Sequence, residues 1–359
     1  MKGWACIARL GGIGDNLIAS VVLRPLKRMG YMVEVITSET ASAVFLNNPF
    51  IDKLAVKREG DLPGGNDWHK WFASRAHEYD LFVNLSNSCE TRHALHYGNT
   101  AFHWPVEYRR KLCAGSYLDT ACEIVGVPFE PGPLYFPTEE ERANAEVFKR
   151  ANFGPRFVSW VISGSRVDKI HPYGAMAIAR IIKEMNVPVV MTGIGDQQKD
   201  MADQMREHVV RQNGSRDGVY IAISHSKLPE EKRWGLRPSL ALLLQSDLVI
   251  TPDTGSGWAV AMEPMPKIMT VSHASVENIT KHWVNTVTLH ADQNRVPCWP
   301  CHRLHDDIST CVPNKDGGHA AACISDISVE TILDTVRKLL MQQQFEADTN
   351  VRVLREAAE

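Results

Sequence analysis

The sequence predicts an α/β protein made of two Rossmann-like, doubly wound halves. A short apolar run, a glycine turn, a helical stretch and a second apolar run open the chain as a βαβ unit. The same alternation restarts after VPFEPGPLYFP, residues 127–137, where four prolines in eleven residues mark a boundary. Length agrees, because 359 residues exceed the usual single domain and suffice for two cores.

Taken in order, WACIARL reads as a buried strand, and DNLIASVVLRPLKRMG carries apolar residues at helical spacing until Gly30 stops it. YMVEVITS is the next strand, with LAVKR and DLFVNLS as later strands of the same sheet. Ser116 to Val125 is a helix ended by Gly126. Beyond the prolines, a helix covers roughly Glu139 to Ala151, FVSWVIS is a strand, SRVDKIHP a loop, YGAMAIARIIKEM a helix and VPVVMTG a strand. GVYIAIS, SLALLLQSD, LVITPD, KIMTVS and TVTLH extend the alternation to about residue 290, and a helix from about Val329 to Gln344 closes the chain. The expected division is 1–135, then 136–335 with a cysteine-rich segment at 298–323, then a helix and tail at 336–359. Ligands of such sheets lie outside the carboxyl ends of the strands, which directs attention to the loops after ARL, VIS, MTG, ITPD and TVS.

Composition narrows the function classes. With 39 basic and 42 acidic residues the net charge is -3, so no global basic field draws the chain onto duplex nucleic acid. No apolar run approaches a membrane span, and MKGWACIARLGG is too short and too interrupted by Arg9 for a signal peptide. A cytoplasmic protein is expected, at most peripheral to a membrane surface.

RLGGIGDN, Arg9 to Asn16, invites a dinucleotide reading, yet Leu17 stands where a third glycine is needed and YMVEVITSE supplies the ribose-binding acid only loosely. The glycines still allow a tight reversal that brings backbone amides near a ligand. Asp15 falls at the N-cap or first turn of the following helix, where capping alone is worth about 1 kcal/mol. At mid-chain, VISGSRVDKIHPYGAM puts Ser163, Gly164, Ser165, Arg166 and Lys169 in one strand-to-helix loop; hydroxyls, amides and two cations suit a diphosphate, although loops commonly hold such residues. In SDLVITPDTGSGWAVAM, Asp253, Thr254, Gly255, Ser256 and Gly257 form a turn at a helix start, read either as a phosphate cradle or as a cap and tight turn.

Together RLGGIGDN, SGSRVDKIHP, TGIGDQ and SDLVITPDTGSGWAVAM followed by TVSHAS, in order over nearly the whole chain, resemble glycosyltransferase family 9, the heptosyltransferases of lipopolysaccharide core assembly. The resemblance implies the GT-B architecture: two Rossmann-like domains facing across a cleft, the first receiving the acceptor and the second a nucleotide-sugar, typically ADP-heptose. It further implies inverting transfer without a catalytic metal. Asp15 falls at the family's general-base position, with Gly12, Gly14 and Asn16 on the acceptor side. Lys169 with Ser163, Gly164, Ser165 and Arg166 falls at the diphosphate, and Gly193, Asp253, Thr254 and Gly255 at the donor. Two departures stand out: Trp258 replaces a common histidine, and SHAS replaces a glycine-proline-threonine turn.

Two segments stay open. CWPCHRLHDDISTCVPNKDGGHAAAC spaces Cys298, Cys301, Cys311 and Cys323 as C-x2-C-x9-C-x11-C, which allows a structural zinc with His302, His305 or His319 as substitutes, or free thiols. HWPVEYRRKL joins aromatic rings to Arg109, Arg110 and Lys111, suiting a saccharide or phosphorylated glycan, or simply a solvated helix face. Rival functions are transfer to a modified nucleic acid base, a protein or a small molecule, nucleotide-sugar binding without turnover, and a scaffold that binds a partner through the cysteine segment.

Overall fold

The computed structural model describes residues 2–58, 60–62, 68–86, 100–162, 167–304, 311 and 320–356. Four strands, β1 (Trp4–Arg9), β2 (Met32–Ser38), β3 (Lys53–Lys57) and β4 (Leu81–Asn84), form a parallel sheet in the order β3-β2-β1-β4. Six more form a second parallel sheet: β5 (Val158–Val161), β6 (Val189–Ile194), β7 (Val219–Ser224), β8 (Leu248–Pro252), β9 (Lys267–Thr270) and β10 (Thr286–Leu289). Its order, β10-β9-β8-β5-β6-β7, is the doubly wound one, with winding reversed between β5 and β8; the first sheet reverses likewise between β1 and β4. These are the two doubly wound halves that the alternation predicts. The central strands β5 and β8 are buried at every residue, as expected where helices cover both faces.

Two helices differ from expectation. The stretch after the first glycine turn is an α-helix Ile13–Ala19, a 3-10 turn Ser20–Val22 and a second α-helix Leu23–Arg28. Pro25 explains the break: it lacks an N–H, and its ring would collide with the carbonyl four residues back. The last helix runs Val329–Glu356, beyond Gln344 and unbroken across 335–336. No glycine or proline occurs in 345–356 to stop it. Its buried residues, among them Ile332, Leu333 and Val336, join Ile178 and Ile181 in the core of the second half.

The halves meet over a continuous core rather than a thin hinge. Trp258, 1% exposed, packs in one cluster with Leu17, Ile18 and Leu118 of the first half, its ring 6.3 Å from Tyr117 and 5.2 Å from Trp283. At the centre of the seam the Ile13 helix lies on the helix Gly255–Val260 so closely that a Cβ on Gly255 would sit 2.7 Å from Ile13 Cγ2 and 3.1 Å from the Gly14 nitrogen. Arg237 fastens a second point. Its Nη1 donates to the carbonyls of Ala43 and Leu46, its Nη2 to the Phe136 carbonyl, and Nη2 and Nε together grip the Glu141 carboxylate. Burial works to raise the Glu141 pKa, but Arg237 and the Thr138 N–H reverse this and hold it below the ordinary range. A third contact joins the helix Tyr117–Val125 to the second half, where Asp119 takes His282 Nε2 at 2.6 Å and Lys281 Nζ at 2.9 Å.

Because the Gly255 contact involves backbone and a β-branched side chain that cannot swing away, Gly255→Ala is expected to lower stability by roughly 1–3 kcal/mol in urea unfolding. Unchanged stability would mean that the two halves do not touch there in solution.

Candidate active site

The site is built where both windings reverse, because side chains after β1 and β4, and after β5 and β8, converge outside the carboxyl ends of their strands. On the second half, Lys169, in the short turn Val167–Lys169 after β5, reaches Asp253 after β8. Its ammonium donates to the Asp253 carbonyl at 2.7 Å and to Oδ2 at 2.8 Å. The Trp258 indole N–H donates to Oδ1 at 3.0 Å, so each carboxylate oxygen has a donor. Burial works to raise the Asp253 pKa, yet Lys169, with His273 and Trp258, overturns it and keeps the carboxylate charged. Two of the three ammonium hydrogens of Lys169 are thereby engaged, and one remains for a ligand. Thr254 caps the Gly255 helix through its hydroxyl, 3.3 Å from the Gly257 nitrogen.

Beneath Lys169 its neighbour Asp168 is buried, with His273 Nδ1 3.4 Å from the carboxylate. The same nitrogen is 3.0 Å from the Ser272 hydroxyl, and the His273 carbonyl accepts the His302 N–H at 2.8 Å. Burial lowers the His273 pKa below its ordinary value. Gly193 lies inside β6, where a Cβ would meet the Ile162 carbonyl at ordinary contact distance. Ser163, Gly164, Ser165 and Arg166 lie outside the described residues.

On the first half, RLGGIGDN folds around Asp15. Buried Arg9 donates from Nη1 to the Leu85 carbonyl at 2.6 Å and places Nη2 3.2 Å from Asp15 Oδ2, which also takes the Gly12 N–H at 3.0 Å. Asp15 sits at the third helical position, forming the acidic arm of a capping box, with its side chain 35% exposed. Gly11, at φ +137°, takes the backbone conformation that requires glycine. Gly14 instead faces Trp258 and Gly255 across the seam. Asn16 is wholly buried, its amide bonded to the Gly12 carbonyl at 2.8 Å and to the Thr37 hydroxyl at 2.8 Å, so it holds the loop together.

Of the basic run, Arg109 is buried over the Phe102 ring at 4.9 Å, whereas Arg110 is exposed on the same helix, Val106–Cys113. Burial pushes the Cys323 thiol up to about 12, with Cys301, Cys298 and Cys311 near enough to add to the rise, and burial raises Cys301 too, against the opposing Arg303 backbone N–H. Among the described residues no group of three or more His, Cys, Asp or Glu side chains has a metal-holding arrangement. No described helix is long and apolar enough to cross a membrane.

Sequence reasoning passed over Arg9, Asp168 and His273. For Arg9 the signal was present, since a cation within a buried strand must find a partner. Asp168 and His273 are far apart in the chain, and no spacing could pair them.

Compared with solved structures, the chain matches a family 9 glycosyltransferase from Veillonella parvula at TM-score 0.62 and 17% identity, covering 95% of this chain and 98% of that one. It matches the ADP-heptose lipopolysaccharide heptosyltransferase II of E. coli at 0.61 and 13%, covering 95% and 99%. The fold is that of the family 9 heptosyltransferases. The iron-containing dodecameric glycosyltransferase TibC of E. coli matches at 0.56 and 14%, covering 94% of this chain and 77% of that one. No family profile matches the sequence, and no curated protein matches it by sequence. Expectation and structure therefore agree on the GT-B-like architecture.

If Lys169 and Asp253 act as one unit, Lys169→Met and Asp253→Asn each destabilise the protein, and the double variant loses at least about 1 kcal/mol less than the two losses together. Additive losses in denaturant unfolding would dissolve the pair. Since the Asp253 pKa is depressed, the pair's contribution is complete above the ordinary carboxyl value of 3.8 and is lost as pH falls through the lower folded value.

Proposed function

We propose that the chain is an inverting glycosyltransferase that moves a sugar, heptose foremost, from a nucleotide-diphosphate donor such as ADP-heptose to a saccharide or glycolipid acceptor. The observation that carries the reading is the meeting of the two loops: Gly14, next to Asp15, touches Gly255, two residues beyond Asp253, in a fold shared with heptosyltransferases. In this reading Asp15 takes the proton from the acceptor hydroxyl as its oxygen attacks the anomeric carbon. Arg9 and the Gly12 N–H hold one carboxylate oxygen and so fix its direction. The bond to the leaving nucleoside diphosphate breaks with its electron pair on the diphosphate, where the remaining N–H of Lys169 stabilises the charge without need of a catalytic metal. Ser163, Gly164, Ser165 and Arg166 complete the donor loop, Gly193 and Thr254 flank it, and Arg110 faces the acceptor, with Gly12, Gly14, Asn16 and Arg109 framing that side. The acceptor unit is 1–135 and the donor unit 136–335, in a cytoplasmic protein.

The cysteine segment is proposed to hold a structural metal. Burial pushes the Cys323 thiol up to about 12 and raises Cys301 as well, so without a cation these sulfurs stay protonated; a bound metal would supply the charge that makes them thiolates, and Cys298 and Cys311 stand close enough to act on Cys323. Four thiolates suit zinc, and equally iron, the metal that TibC contains. Elemental analysis is expected to find about one metal per chain, lost in Cys301→Ser; a metal-free, fully folded protein would refute the site.

A donor screen read by nucleoside diphosphate release tests the function. ADP-heptose with deacylated lipopolysaccharide core is expected to release ADP, and Asp15→Asn to cut that rate at least about 100-fold while leaving the fold intact. Full activity in Asp15→Asn would remove it as the base. ADP-heptose binding without release under any acceptor, whether glycan, protein or nucleic acid base, would leave a binding protein.

A further inference from the structure

We infer that His273 is a positioning residue for diphosphate recognition, holding the Lys169 turn in register through Asp168; this rests on the donor-site reading above. Lys169 and Asp168 are consecutive residues of one short turn, and each is held from a different strand end. Lys169 is held by Asp253 after β8, and Asp168 by His273 after β9. These two grips tie consecutive residues of the turn to the ends of β8 and β9.

The His273 grip is itself braced. The Ser272 hydroxyl lies 3.0 Å from the same Nδ1, so a hydrogen there is shared between Ser272 and Asp168, and the His302 N–H donates to the His273 carbonyl. His302 and Arg303 adopt positive φ, 49° and 56°, in the turn immediately after Cys301, so an unusual backbone conformation presents that N–H. His302 is 4% exposed, and among the described residues its Nε2 has no hydrogen-bond partner. The chain of contacts therefore runs from the cysteine turn to His273, to Asp168, to the lysine that meets the diphosphate. SHAS, which departs from the family's turn at this point, becomes the segment that supplies the grip.

Because the grip acts through the Lys169 ammonium, its effect falls on the phosphates of a nucleotide and not on the nucleoside. Losing it should let the Lys169 turn drift, weakening ADP but not adenosine. His273→Asn keeps a donor close to the Nδ1 position, whereas His273→Leu removes it.

The test is calorimetric titration with ADP, beside ligand-observed NMR with adenosine. His273→Leu is expected to weaken ADP about 10-fold with adenosine unchanged, and His273→Asn to stay within about 3-fold of the unsubstituted protein. In a Lys169→Met background, His273→Leu should add no further loss. Should the leucine variant not fold, His273→Gln, which carries its amide one methylene too far, replaces it in the same comparison. Equal ADP affinity in the leucine and unsubstituted proteins would overturn the inference, as would parallel losses of ADP and adenosine, or additive losses with Lys169→Met. An unsubstituted protein that binds ADP no better than adenosine would overturn the donor-site reading itself, and the inference with it. ADP binding without sugar transfer would refute the transferase alone and leave the His273 comparison to be judged on affinity.

Discussion

Everything in the arrangement depends on two glycines being able to touch. The Ile13 and Gly255 helices each begin just beyond the strand ends where ligands of doubly wound sheets gather, and they meet through Gly14 and Gly255. Any side chain at Gly255 would push the first-half loop away by the width of a methyl group. The backbones that carry Asp15 and Asp253 are thus held close by a contact in which only glycine backbone and Ile13 take part. Orientation of two substrates contributes to rate only if such a distance is fixed, and here the fixing is steric.

Around that contact the charges are arranged so that each is answered but not exhausted. Asp253 takes hydrogen bonds from two donors, Lys169 and Trp258, while Lys169 retains one hydrogen among the described residues. Asp15 Oδ2 meets Arg9 and the Gly12 N–H, and the side chain is 35% exposed. A buried ion pair is weak evidence for stability as such, because desolvation offsets the Coulombic gain. Its use here is geometric: an ammonium without Asp253 would swing over the range of a four-carbon stem, and a carboxylate without Arg9 would rotate freely.

The winding of both sheets was legible because it rests on short-range pattern: apolar runs, helical spacing and glycine or proline stops. The order of the motifs singled out Asp15, Lys169 and Asp253 together; the fold pairs Lys169 with Asp253 and brings the Asp15 loop against the Gly255 helix. What escaped was long-range. Arg237 is an ordinary arginine in sequence, and only the fold reveals that its five N–H groups reach both halves and the proline segment. Asn16 and Arg109, read as ligand contacts from residue type, are buried and bonded within the protein, since a polar side chain beside a motif is as useful for holding a loop as for meeting a ligand. The helix break at Pro25 was available in the sequence and was outweighed by an uninterrupted apolar spacing.

Trp258, where the resemblance leads one to expect histidine, serves two needs at once. A histidine there would be small, polar and able to titrate. The indole instead fills the seam between Tyr117 and Trp283 while its N–H still reaches Asp253, so one side chain serves both packing and electrostatics. This ties the donor loop to the interface itself. Separating the halves would expose the Trp258 ring, the largest of the fully buried side chains, at a cost of about 1–3 kcal/mol before Arg237 is even released. Substrates therefore meet a pair of loops already in contact, and any closing motion must pivot about that contact rather than create it.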